Sequence, residues 1–169
     1  MKTMIPSQRF LSRRRVLHLL CGLPAVLMAC GNNHTGPQAP EINYGYDTCA
    51  HCGMVIVDTR YAAATTLKSG DVRKFDNVAD MIAFHAEHPD QTVSAWWAHD
   101  YRSQQWIDAL QSHYVLVQGK DTCSSLQKDI VAFGDATDGE AFATEHNETI
   151  KAWDKVRLAV YESEHQHAS

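Results

Sequence analysis

Two cysteines three positions apart, Cys49 and Cys52, enclose His51 and are followed by Gly53 and Met54. A Cys-x-x-Cys spacing serves several chemistries, and the neighbours separate them. Covalent haem attachment needs a histidine directly after the second cysteine, where Gly53 stands. A thioredoxin-type pair belongs at a strand-to-helix turn, where the helix N-terminus lowers the thiol pKa, whereas this pair precedes the β-branched run Met54-Val55-Ile56-Val57. A closed zinc site takes four ligands, usually from two such pairs, so Cys123 and a histidine would have to complete it. A Cys49–Cys52 disulfide would close so short a loop that it would constrain the unfolded chain little. Thiolate and thioether sulfurs together favour Cu(I) over harder ions, and Gly53 lets the backbone bend so that Cys52 and Met54 face a common point. Copper fits the neighbours best, with a thiol-disulfide oxidoreductase, a structural zinc module and a plain disulfide as the alternatives.

The elements that must position this segment can be read from periodicity. Met54 to Val57 is strand-like. Tyr61 to Leu67 and Val72 to Phe75 are β-compatible runs around a Lys68-Ser69-Gly70-Asp71 loop. Asp76 or Asn77 can cap a helix whose Val78, Met81, Ile82 and His85 fall at i, i+3, i+4 and i+7, with Pro89 marking its end. Val93 to Ala98 is again strand-like. The second half repeats that order loosely, with short runs at Tyr114–Val117 and Ile130–Phe133, a helix over Asp138–His146, a strand over Thr149–Trp153, and a helix from Asp154. The fold class expected is α+β, two small β-β-α-β halves in one compact unit over residues 44–169. Trp96, Trp97, Trp106 and Trp153 are assigned to the core. His85, His88, His113 and His146 are read as surface or packed residues, and the polar tail from Glu162 to Ser169 is expected to fray.

The 169 residues divide unevenly in charge. The first 29 hold five of the fifteen basic residues and no acid, leaving ten basic against twenty acidic side chains in residues 30–169. So acidic a body argues against nucleic acid or anionic lipid as a partner, since clustered Lys and Arg supply that affinity. Residues 1–29 read as a signal peptide: Arg13-Arg14-Arg15, then an apolar stretch from Val16 to Ala29. The arginines resemble a twin-arginine export signal. Leu27-Met28-Ala29-Cys30 resembles a lipobox, which would cleave before Cys30 and acylate its thiol. Residues 30–43, polar and interrupted by Gly and Pro, suit a lipid-anchored tether.

The segment Asp47-Thr48-Cys49-Ala50-His51-Cys52-Gly53-Met54-Val55-Ile56-Val57-Asp58 resembles the signature of the NosL family, lipoproteins that accompany nitrous oxide reductase. The similarity continues, in family order, through Arg60-Tyr61-Ala62-Ala63, Lys74-Phe75-Asp76-Asn77, Ala98-His99-Asp100-Tyr101, Trp106-Ile107-Asp108-Ala109, Tyr114-Val115 and Ala132-Phe133. The resemblance implies two β-β-α-β halves, similar to part of organomercurial lyase. It further implies a Cu(I)-binding protein on the periplasmic side of the outer membrane, without catalytic activity of its own. Such a protein supplies copper to nitrous oxide reductase and works with that enzyme's assembly machinery. The metal positions that carry over are Cys49, Cys52, Met54 and His99. One departure stands out: the family carries a Met-Gly pair where this chain has Leu126-Gln127. Cys123, three residues upstream, either substitutes a thiolate there or is a small buried hydrophobe.

Lipid anchoring is directly testable. A diacylated, N-acylated cysteine buries enough methylene to hold a domain on a membrane, where a single chain would be marginal. Replacing Cys30→Ser should move the protein from the membrane to the soluble fraction, and unchanged retention would refute the anchor.

Overall fold

The computed structural model describes residues 38–119 and 128–167. The export segment, the acylation candidate Cys30, most of the tether, and Cys123 with Leu126 lie outside the described residues. The chain runs β1 (Ala63–Leu67), β2 (Val72–Phe75), α1 (Val78–Glu87), β3 (Val93–His99) and β4 (Trp106–Asp108), then β5 (His113–Gln118), β6 (Lys128–Phe133), α2 (Ala136–Glu145), β7 (Lys151–Ala152) and α3 (Trp153–His167). Two antiparallel sheets result, in the orders β2-β1-β3-β4 and β6-β5-β7. The architecture is α+β with the β-β-α-β order in each half. The first half gains β4, too short at three residues to show an alternation.

The first sheet is built around small residues. β1 lies between β2 and β3, and its Ala63, Ala64 and Thr65 are fully buried. The β1–β2 hairpin turns where expected, with Gly70 at φ +94° and Leu67 N–H donating to the Asp71 carbonyl at 2.8 Å. Asn77 caps α1: its side-chain oxygen accepts the Asp80 N–H at 2.8 Å, which satisfies one of the donors a helix start leaves open. Val78, Met81 and Ile82 then point into the core, where they meet Phe75, Ala98, Tyr114, Ile130 and Val156.

The two halves are joined by a buried carboxylate. Asp100 accepts from Arg102 N–H, Ser103 N–H and the Ser103 hydroxyl on its own turn, and from Gly134 N–H in the second half at 2.8 Å. These bonds outweigh the cost of burial and hold its carboxyl below the usual carboxylate range. Beside it Tyr101 N–H donates to the Ala132 carbonyl at 2.9 Å.

Three expectations need correction. Met54 to Val57 is not a strand; only an isolated bridge, Thr48 to Val55, forms there. Asp47 N–H turns away to the Asn43 carbonyl at 2.9 Å, and this interrupts the ladder that the β-branched residues would otherwise extend. Ile42, assigned to the tether, is buried in the core, so the folded body begins before Tyr44. The C-terminal residues through His167 are helical in α3, anchored by the buried Val156 and Val160.

His85 makes the fold sensitive to acid. Its Nε2 lies 2.9 Å from the Thr65 hydroxyl, and its Nδ1 is buried with no hydrogen-bond partner among the described residues. Burial first, then the positive potential of His88 and Arg73, push its pKa down to about 4. The unfolded chain therefore takes up a proton near pH 6.5 that the folded chain refuses. Stability present above pH 6.5 should decline as pH falls toward 4 and then level off for this group. Melting curves of the wild type and His85→Gln check this: the variant should show a flatter pH dependence across that window, and parallel profiles would exclude the effect.

Candidate metal centre

The Cys49–Cys52 turn is closed by its own backbone. Cys49 N–H donates to the Met54 carbonyl at 2.8 Å and Gly53 N–H to the Cys49 carbonyl at 3.0 Å. Gly53 takes a φ of +76°, a conformation side chains rarely adopt. The ends of the turn are tied to β2, since Ala50 N–H bonds the Lys74 carbonyl at 2.8 Å and the Lys74 ammonium meets Asp47 at 2.6 Å. Ile56, fully buried, pins the returning segment to the core.

The turn faces the start of α1. Ligating atoms of Cys49, Cys52, Asp76 and Asp80 all lie within 4.8 Å of one another. Cys49 S–H is directed at Asp80 Oδ2 at 3.6 Å and Cys52 S–H at Asp76 Oδ1 at 3.8 Å. Asn77 bridges the two carboxylates, its amide donating to Asp76 Oδ1 at 3.2 Å and Asp80 Oδ2 at 3.1 Å. His51 leans against this group from outside, with Nδ1 2.8 Å from Asp80 Oδ1 and Nε2 3.6 Å from Glu87. Cys49 is buried, Cys52 half-buried and Met54 47% exposed, so the site has a closed side against α1 and an open side toward solvent.

The charges of the site are unequal. Burial pushes the Cys49 thiol up to about 11 and raises Cys52 as well, helped by the neighbouring Asp80 charge. Burial and the Asp80 carboxylate raise Asp76 to about 6. Burial would raise Asp80 too, but hydrogen bonds from Asp76, His51 and Cys52 outweigh it, and Asp80 is the carboxylate that keeps its charge. His51 is opposed by burial yet raised by Asp80 and Glu87. Both raised shifts favour the protonated thiols, so the thiolate that a redox nucleophile needs is suppressed.

Of the residues singled out from sequence, the structure brings Cys49 and Cys52 together on one turn with Met54. His99 does not join the four-residue cluster. Its Nδ1–H donates to the Gln104 carbonyl at 3.0 Å, so its Nε2 accepts from the Tyr44 hydroxyl at 3.0 Å, and its ring packs 3.9 Å from Trp106. Asp76 and Asp80 were missed. Their signal was the helix start Asp76-Asn77-x-x-Asp80, which reads as capping and says nothing about the facing loop.

A sequence profile of the NosL family matches residues 43–161. Among solved structures, the crystal structure of the copper chaperone NosL from Shewanella denitrificans aligns with a TM-score of 0.57 at 22% identity, covering 69% of this chain and 93% of that one. At that identity the likeness is one of fold. A search of curated proteins returned no match.

Thiol reactivity reports on the closed side of the site. Iodoacetamide at pH 8 should alkylate Cys49 roughly ten- to a hundredfold more slowly than an unperturbed thiol, the lost thiolate fraction being partly offset by higher intrinsic nucleophilicity. Urea should abolish the difference. A folded protein alkylated as fast as free cysteine would show that the thiols are not held protonated.

Proposed function

The chain belongs to the NosL family, and from that premise we propose that it carries Cu(I) on the periplasmic side of the outer membrane, tethered through Cys30, and hands it to nitrous oxide reductase during that enzyme's maturation. The observation that carries this reading is the convergence of two free thiols on one turn, closed against α1 and open at Met54. Soft sulfur donors select Cu(I). Copper here is cargo, so the ion must be held firmly and then released. Two thiolates and a thioether on an accessible turn suit that better than a closed four-ligand cage.

The chain's own residues divide the work. Cys49 and Cys52 bind once their protons leave, and Met54 supplies the outermost sulfur. Asp76 and Asp80 accept hydrogen bonds from the thiols while no ion is held. This keeps the sulfurs aimed at a common point without leaving buried polar groups unsatisfied. His99 would have to release Tyr44 to become a ligand, and Cys123 is a candidate for a further sulfur. Catalysis is not part of the proposal, because a delivered ion leaves with the acceptor.

Competition titration with a Cu(I) chelator tests the site. Cys52→Ala should weaken binding more than ~100-fold and Met54→Leu roughly tenfold, losses at or above those typical of outer-sphere partners. Affinity should also fall as pH drops, because protons compete for both raised thiols. Wild-type affinity in both variants would place the site elsewhere. Deleting the gene should leave nitrous oxide reductase exported but poor in copper, and a fully loaded enzyme under copper limitation would overturn the delivery step.

A further inference from the structure

Asn77 does two things at the start of α1, and only one of them is capping. Its Oδ1 accepts the Asp80 N–H at 2.8 Å, which fixes which way the amide points. Nδ2 is left to donate to Asp76 Oδ1 at 3.2 Å and to Asp80 Oδ2 at 3.1 Å. These are the same two oxygens at which the Cys52 and Cys49 thiols are directed, at 3.8 and 3.6 Å. One amide therefore engages both of the oxygens that face the sulfurs.

That coincidence bears on the choice of ion. Two sulfurs and two carboxylate oxygens within 4.8 Å of one another are near enough for a tetrahedral divalent ion to draw together. Carboxylates suit hard ions as thiolates and thioethers suit soft ones. When an ion enters, Cys49 and Cys52 give up their protons, and Asp76 Oδ1 and Asp80 Oδ2 lose the thiol donors with them. The Asp80 side chain has no solvent exposure, so its oxygens then need another donor or a cation. The Asn77 amide carries two N–H groups that thiol ionisation leaves in place. It keeps both oxygens hydrogen-bonded, and the ion is left to the sulfurs. Capping alone does not ask for an amide. Ser or Thr would also accept the Asp80 N–H, and neither offers two N–H donors.

Resting on the carrier reading above, we infer that Asn77 determines which ion the turn accepts. It is a positioning residue that acts through Asp76 and Asp80, withholding their oxygens from the ion and so favouring Cu(I) over divalent cations.

The test compares two ions on the full chain, purified in detergent under anaerobic, reducing conditions. Cu(I) is measured by chelator competition, and Co(II), as the divalent probe, by its visible absorption. Asn77→Ser and Asn77→Thr both keep a cap for the Asp80 N–H, lose the amide and add no carboxylate. Both should fold by their melting curves. Each should bind Co(II) about tenfold more tightly than the wild type, a change of the size that outer-sphere partners impose, with the stronger visible bands of a tetrahedral site. Cu(I) affinity should change far less. Adding Asp76→Asn to Asn77→Ser should remove the Co(II) gain, because the freed carboxylate is gone. An unchanged ratio of Co(II) to Cu(I) affinity, a parallel loss for both ions, a gain that survives Asp76→Asn, or loss of the folded state in both variants would each return Asn77 to the role of a cap. A wild type that fails to bind Cu(I) would instead remove the carrier reading, and the inference with it.

Discussion

The site depends on one buried carboxylate. Asp80 has a side chain with no solvent exposure, and a charge in that position is tolerated only when its oxygens are fully engaged. Its engagements are the Asn77 amide at 3.1 Å, the Cys49 thiol at 3.6 Å and the His51 ring at 2.8 Å. Two of these partners belong to the turn, some thirty residues earlier in the chain. The demand that Asp80 be satisfied thereby seats the cysteine turn on the first turn of α1, where the helix N-terminus also favours negative charge. Removing the carboxylate would leave a buried thiol and a histidine without their acceptor, and the turn without its registration on the helix.

That arrangement needs a frame that does not yield, and the small residues of β1 supply it. Ala63 and Ala64, with Ala62 just before them, let β1 sit close under the helix, while Phe75 and Phe84 pack at a tilt with ring centroids 5.4 Å apart. The second half supports the frame through α1 and α3, whose Ile82, Val156 and Val160 share one core. Tyr114 crosses between the halves, its ring buried and its hydroxyl donating to the Ala109 carbonyl at 2.6 Å. Asp100 fixes the remaining junction. Asp80 and Asp100 thus do comparable work, each joining segments that are distant in sequence, one at the site and one at the seam of the fold.

Local patterns were legible and long-range pairings were not. The hairpin around Gly70, the Asn77 cap, the 3.6-residue spacing of α1 and the order of the second half all follow from neighbours within a few positions. The cysteine turn was legible as chemistry because four of its six residues bear on metal binding. Its partners Asp76 and Asp80 were not, since an aspartate at a helix start is already explained by capping, and 24 to 31 residues separate the pairs. The strand expected at Met54–Val57 failed for a similar reason. β-branched composition expresses a preference for extended backbone, but a strand needs a partner edge, and the Asn43–Asp47 turn withdraws the N–H that would have continued one. His99 shows the opposite case, a residue whose type suits metal while Tyr44 and Gln104 account for both its nitrogens.

The contrast between the two sides of the site bears on how firmly an ion can be held and still be released. On the α1 side the sulfurs are buried, hydrogen-bonded and protonated, so an ion must displace protons to enter, and protons can compete for the sulfurs when it leaves. On the solvent side Met54 is exposed and Cys52 only half-buried, which leaves room for an acceptor's ligand to add before the old bonds break. A cage closed on both sides would hold the ion longer and make exchange slow; a turn open on both sides would leave a larger thiolate fraction exposed to oxidation. Seating one edge of a short turn against a buried carboxylate and leaving the other edge free combines protected thiols with a site that can be approached from solvent.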